Sequence, residues 1–130
     1  MTINPPALLA AAREAAKRAY CPYSNFHVGA AVLADGKIFP GCNVENASYG
    51  LTICAERNAI FAAVTSGARR IQALALACVD ATADAPPSLR MPCGACRQVI
   101  AEFAAANAPV HIDGIGTMTV ADLLPRAFRL

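Results

Sequence analysis

The chain has 130 residues, a mass of 13.5 kDa and a formal charge of +2, with 56% apolar and 15% charged residues. This is one domain, residues 1–130, with enough apolar matter for a core and too weak and dispersed a charge for a nucleic-acid footprint. No apolar run approaches the roughly 18 residues of a membrane span, and thirty alanines make much of the hydrophobicity small and helix-favouring.

Pro5-Pro6 opens a helix over Ala7–Ala19, since proline in a first turn costs no hydrogen bond. The Ala7–Ala12 run is short, with no basic residue before it and no cleavage site after it. The expectation is therefore a cytoplasmic protein. Tyr20 to Asn25 stops the helix with a proline and turn residues. His27–Ala34 reads as a strand, Asp35-Gly36 as a hairpin turn and Lys37–Val44 as the return strand. Pro40 and Gly41 place that return strand at an edge or on a bulge.

Asn46–Gly50 is a polar loop, and Cys54–Val64 a second helix ended by Ser66-Gly67. Ile71–Val79 is apolar throughout, as befits a central strand buried on both faces. Asp80–Pro92 is a proline-rich loop. A third helix covers about Cys93–Ala106, two short strands follow at Val110–Ile112 and Ile115–Met118, and Val120–Leu124 makes a last helical turn. This order predicts an α/β fold: three α/β/α layers around a mixed five-stranded sheet.

In a reducing compartment the six cysteines should be free thiols or metal ligands rather than a disulfide frame. Cys93 and Cys96, in Pro92-Cys93-Gly94-Ala95-Cys96, share one face of a first helical turn, where free N–H groups favour thiolates. Alone, the pair is consistent with a redox dithiol, half of a structural zinc site, or chance. Cys54-Ala55-Glu56 lies at another helix start, and its Cys and Glu reach one centre only if the motif straddles the helix boundary. Three thiolates suit Zn²⁺ and leave its fourth tetrahedral position open. Open zinc beside a non-ligand carboxylate is the arrangement of metal-assisted hydrolysis. A Glu two residues after the first ligand, with Pro-Cys-x-x-Cys downstream, matches the signature of zinc deaminases, with Cys54 standing where that signature has histidine.

Beyond the metal motif, CPYSNFHVGAAV, GCNVENASYG, CAERNAI and PCGACRQVI occur in this order, and DLLPRAF closes the chain. Together they resemble the short cytidine deaminases of pyrimidine salvage. The resemblance implies a cytidine deaminase-like fold, a homotetramer and one Zn²⁺ per chain. It implies hydrolysis of cytidine and deoxycytidine to uridine and deoxyuridine, with release of ammonia. It makes Cys54, Cys93 and Cys96 the metal ligands and Glu56 the catalytic proton shuttle. Phe26, Asn43, Val44, Glu45 and Ala55 fall around the nucleoside, with Asn43 and Glu45 on the ribose and Phe26 against the pyrimidine. Tyr49 and Phe128 are candidates to line a neighbouring subunit's pocket.

Three thiolates on Zn²⁺ leave a charge of −1, and Arg57, three residues after Cys54, is the cation expected to offset it, with Arg97 a weaker candidate. Cys21, Cys42 and Cys78 read as non-ligands, and His27 and His111 as structural residues. Rival readings are a closed structural zinc module, with Cys42 or His27 as fourth ligand, and a deaminase of another substrate such as blasticidin S. Asn-Val-Glu-Asn-Ala-Ser favours a nucleoside over the latter. Weak charge argues against a tRNA substrate.

Overall fold

The structure is a computed structural model, and it describes residues 4–130. Helix α1 spans Pro5–Ala16; the Asn4 side chain accepts a hydrogen bond from Ala7 N–H, and both prolines sit in the first turn. The helix ends three residues earlier than the sequence predicts. Lys17, Arg18 and Ala19 turn tightly, each donating to the carbonyl three residues back. Tyr20 N–H donates to Asn43 O, which draws the chain out of the helix towards the sheet.

Strands β1 (Val28–Ala34) and β2 (Lys37–Cys42) form the expected hairpin. Asp35 and Gly36 take φ of 51° and 72°, the left-handed pair that a tight two-residue hairpin requires. Beyond them come α2 (Ala55–Thr65), β3 (Ala73–Cys78), α3 (Gly94–Phe103), β4 (Pro109–Ile112), β5 (Gly116–Thr119) and α4 (Val120–Leu123). Short 3-10 turns lie at Tyr49–Leu51 and Pro87–Arg90.

The five strands form one sheet in the order β2-β1-β3-β4-β5. Only β3 and β4 are parallel, with α3 as their crossover, so the sheet is mixed. Strand β2 is an edge, the place where a sheet tolerates Pro40, which has no N–H to give to a ladder. Strand β2 also stops at Cys42, two residues short of the predicted end. There the Asn43 side chain takes over the pairing, accepting from Val28 N–H and donating to Phe26 O.

Strand β3 is buried throughout, and its period of two sorts its residues by size. Ala73, Ala75 and Ala77 pack with Ala31 beneath Leu8 and Ala12 of α1. Leu74 and Leu76 join the larger core under α2, α3 and α4. The small-residue face lets α1 lie close. At Gly29 a Cβ would stand 1.8 Å from Ala12 O, and at Gly41 another would stand 2.4 Å from Ala59 N. Those two glycines set how closely α1 and α2 approach the sheet. No helix among the described residues is long and apolar enough to cross a membrane.

Candidate functional site

Helices α2 and α3 begin side by side, each with a cysteine in the boundary position. Cys54 and Cys93 have extended backbones (φ −72°, ψ 157° and φ −70°, ψ 170°), and neither side chain caps its own helix. Their sulfurs therefore remain free to face one another, 4.0 Å apart. Cys96, at the third helical position of α3, turns to the same point, and all three Sγ atoms lie within 4.8 Å of each other. Tetrahedral zinc with bonds of about 2.3 Å wants sulfurs about 3.8 Å apart. The donor set and its spacing fit that ion with a small inward adjustment. Cys42 and His27 are absent from this group, and His27 Nδ1 is instead held 2.7 Å from Asp80 Oδ2.

Glu56 lies one step inside the helix from which Cys54 is excluded, so the motif straddles the boundary as its spacing demands. The Glu56 side chain is buried, and burial pushes its carboxyl up to about 7, with the Cys54 charge adding to the effect. A carboxyl that titrates near neutrality is suited both to take and to give a proton. Cys54 moves the other way, down to about 5, chiefly through a hydrogen bond from Cys96 and then through Arg57. Arg57 Nη2 donates to Cys54 Sγ across 3.4 Å. Among the described residues its Nε is buried without a hydrogen-bond partner. Arg97 does not share this role. It donates to Pro92 O and Leu123 O, bracing the turn before Cys93 against the end of α4.

A cleft of about 270 Å³ opens beside the cysteines. Phe26, Asn43, Glu45, Ala55 and Glu56 all line it, with Cys54 and Cys93. Val44 does not. It bridges Tyr20 and Ile53 through its backbone and turns its side chain outward. Asn43 has already spent part of its amide on Phe26 and Val28, so it keeps one N–H and one lone pair. Tyr49, edge-on to Tyr23, and Phe128 are both exposed and outside the cleft.

Ser24, Thr52, Cys78, Leu89 and Met91 also line the cleft, and sequence reasoning missed them. Cys78 was legible as a buried strand residue. Its alternation with Leu74 and Leu76 is the signal that turns it to the cleft side. Its thiol donates to Arg90 O, and burial pushes it up to about 11, which keeps it a protonated wall residue. Leu89 and Met91 arrive from an irregular loop whose path no local pattern reveals. Arg90 holds that loop by donating to the carbonyls of Ala81, Thr82 and Asp113.

Three cysteine thiols positioned to hold one metal ion, beside a buried carboxyl at adjoining helix starts, make the arrangement of a hydrolytic zinc site. A family model of the cytidine and deoxycytidylate deaminase zinc-binding region matches residues 4–112, and the chain belongs to that family. It is 52% identical over 126 residues to a cytidine deaminase of Sporosarcina psychrophila, covering 93% of this chain and 88% of the relative. It is 48% identical over 120 residues to a cytidine deaminase of Mycobacterium tuberculosis, covering 92% and 85%. Among solved structures, it matches a cytidine deaminase from Burkholderia pseudomallei with a TM-score of 0.87 and 45% identity, covering 97% of this chain and all of the other.

Proposed function

We propose that the chain is a cytidine deaminase that hydrolyses cytidine and deoxycytidine to uridine and deoxyuridine, releasing ammonia, as a single catalytic domain. The observation that carries this is the convergence of Cys54, Cys93 and Cys96 beside the buried carboxyl of Glu56. Zinc held by the three sulfurs would supply the Lewis acidity that makes water a nucleophile near neutral pH. Glu56 takes one proton from the attacking water and delivers it to N3 of the ring, then carries that water's second proton to the amine, which leaves as ammonia. Ala55, the first residue of α2, has a backbone N–H that no helical carbonyl satisfies, and it lies in the cleft wall as a donor to the base. Phe26 packs against the pyrimidine. Glu45, with Asn43, accepts the sugar hydroxyls. Arg57 offsets the charge of three thiolates.

The cleft also supports a nucleoside over a nucleotide. Among the described residues its walls carry Glu45 and Glu56 and no lysine, arginine or histidine, so a dianionic 5′-phosphate finds no cationic side chain to pair with. The cleft is small for a ligand pocket, which supports a homotetramer in which Tyr49 and Phe128 serve a neighbour's site. Pyrimidine salvage in the cytoplasm is the setting this reading implies.

The test is to incubate the zinc-loaded protein separately with cytidine, deoxycytidine, cytosine and deoxycytidylate, and to follow the uracil product. Turnover of the two nucleosides, with deoxycytidylate and cytosine far slower, is expected. Equal turnover of deoxycytidylate would overturn the nucleoside assignment, and no turnover of any would overturn the activity.

A further inference from the structure

Glu45 does not sit in the cleft as a free carboxylate. Its Oε1 accepts the backbone N–H groups of Tyr23 and Ser24 at 3.0 and 3.1 Å. Its Oε2 accepts the Ser24 hydroxyl in a short hydrogen bond. The same hydroxyl oxygen then accepts the N–H of Phe26 at 3.0 Å. This last bond is possible because Asn25 turns the backbone through φ 55°, a left-handed conformation that asparagine tolerates. One side chain thus couples the carboxylate at one side of the cleft to the aromatic residue at the other.

We propose that Ser24 is a positioning residue for the nucleoside, acting through Glu45, and the inference rests on the reading of Glu45 as the sugar-binding carboxylate. The backbone amides alone hold Oε1 and leave the carboxylate free to swing about that anchor. The hydroxyl fixes Oε2, so that its remaining lone pair meets a sugar hydroxyl without a search. It also fixes where Phe26 leaves the turn, so base and sugar contacts keep a constant separation. Binding should therefore suffer when Ser24 loses its hydroxyl, while the chemistry at Glu56, on another element, is spared.

The experiment measures KM and kcat for cytidine and for cytosine, with zinc content and melting temperature, in the unmodified protein, Ser24→Ala, Ser24→Thr, Glu45→Ala and the Ser24→Ala/Glu45→Ala double variant. Ser24→Ala should raise KM about tenfold with kcat little changed, and Ser24→Thr should restore most of the loss. Adding Ser24→Ala to Glu45→Ala should cost clearly less than Ser24→Ala costs alone, since the hydroxyl then has no carboxylate to place and only its hold on the Phe26 N–H is lost. An unchanged KM in Ser24→Ala, or a full further penalty in the double variant, overturns the inference. If Glu45→Ala itself leaves the preference for cytidine over cytosine intact, the sugar-binding reading of Glu45 fails instead. Should Ser24→Ala not fold, Ser24→Cys, close in size and a weak donor, replaces it under the same criteria.

Discussion

A carboxyl buried beside three sulfurs costs the fold something, because burial disfavours its charged form. Its retention makes sense if the proton it carries is used. Glu56→Gln keeps the size and most of the hydrogen bonding and removes only that capacity. We expect the variant to hold one zinc per chain, measured by atomic absorption, while kcat for cytidine falls by about 10²–10⁴-fold. Turnover within a few-fold of the unmodified protein would take Glu56 out of the proton transfers. Arg57 illustrates a different kind of placement. Three residues after Cys54, it brings a guanidinium onto a sulfur, where Arg97, four residues after Cys93, is captured by two carbonyls.

Between elements, the cleft wall depends on ties that run well away from the cysteines. Arg13 of α1 grips Asp113, in the β4–β5 turn, through two hydrogen bonds of 3.0 and 2.7 Å. Asp113 O in turn accepts from Arg90, which anchors the loop bearing Leu89 and Met91. The Arg13 hydrogen bond holds the Asp113 carboxyl below the usual carboxylate range, with the charges of Arg13 and Arg90 acting the same way. A depressed folded-state pKa means the stabilisation is present in full above the ordinary value of about 3.9 and disappears as pH falls through the lower folded value. Asp113→Asn should therefore melt lower than the unmodified protein at pH 7, and the gap should close as pH falls below the ordinary carboxylate value and through the lower folded value, where the Asp113 carboxyl is protonated. Both side chains are partly exposed, so the pair is a surface one and the gap at neutral pH should be only roughly 1–4 °C. A gap that stays constant across this range in scanning calorimetry would assign the loss to packing instead.

For the molecule as a whole, several of the exposed large apolar residues fall on two neighbouring segments. Tyr20, Tyr23, Val44, Tyr49 and Leu51 come from two segments joined by the Tyr20–Val44 bridge, with Tyr49 74% and Leu51 63% exposed. A small chain that leaves such a patch beside its cleft is a candidate for self-association. Sedimentation should give a particle of four times the 13.5 kDa chain mass, and Tyr49→Asp should lower both assembly and activity. A fully active monomer would refute the tetramer.

Much of this molecule could be read one residue at a time, because the signals involved are local. Helix-forming runs, the Asp35-Gly36 turn, the apolar length of β3 and the proline that marks β2 as an edge each act within a few residues. The cysteine pair and the Cys-x-Glu motif likewise advertised themselves by spacing. Element ends were less legible: α1 and β2 stop early because Tyr20 and Asn43 find partners across the sheet, and neither partner is near in sequence. Tertiary structure alone decided which further side chains join the cleft and which expected one leaves it. It turned Val44 outward, brought Ser24 onto Glu45, and carried Leu89 and Met91 in on a loop fixed by Arg90. Spacing along a strand says which face a residue takes while the strand lasts. Once the chain leaves the sheet at Cys42, hydrogen bonds between distant segments choose the direction, and no repeat in the sequence encodes them.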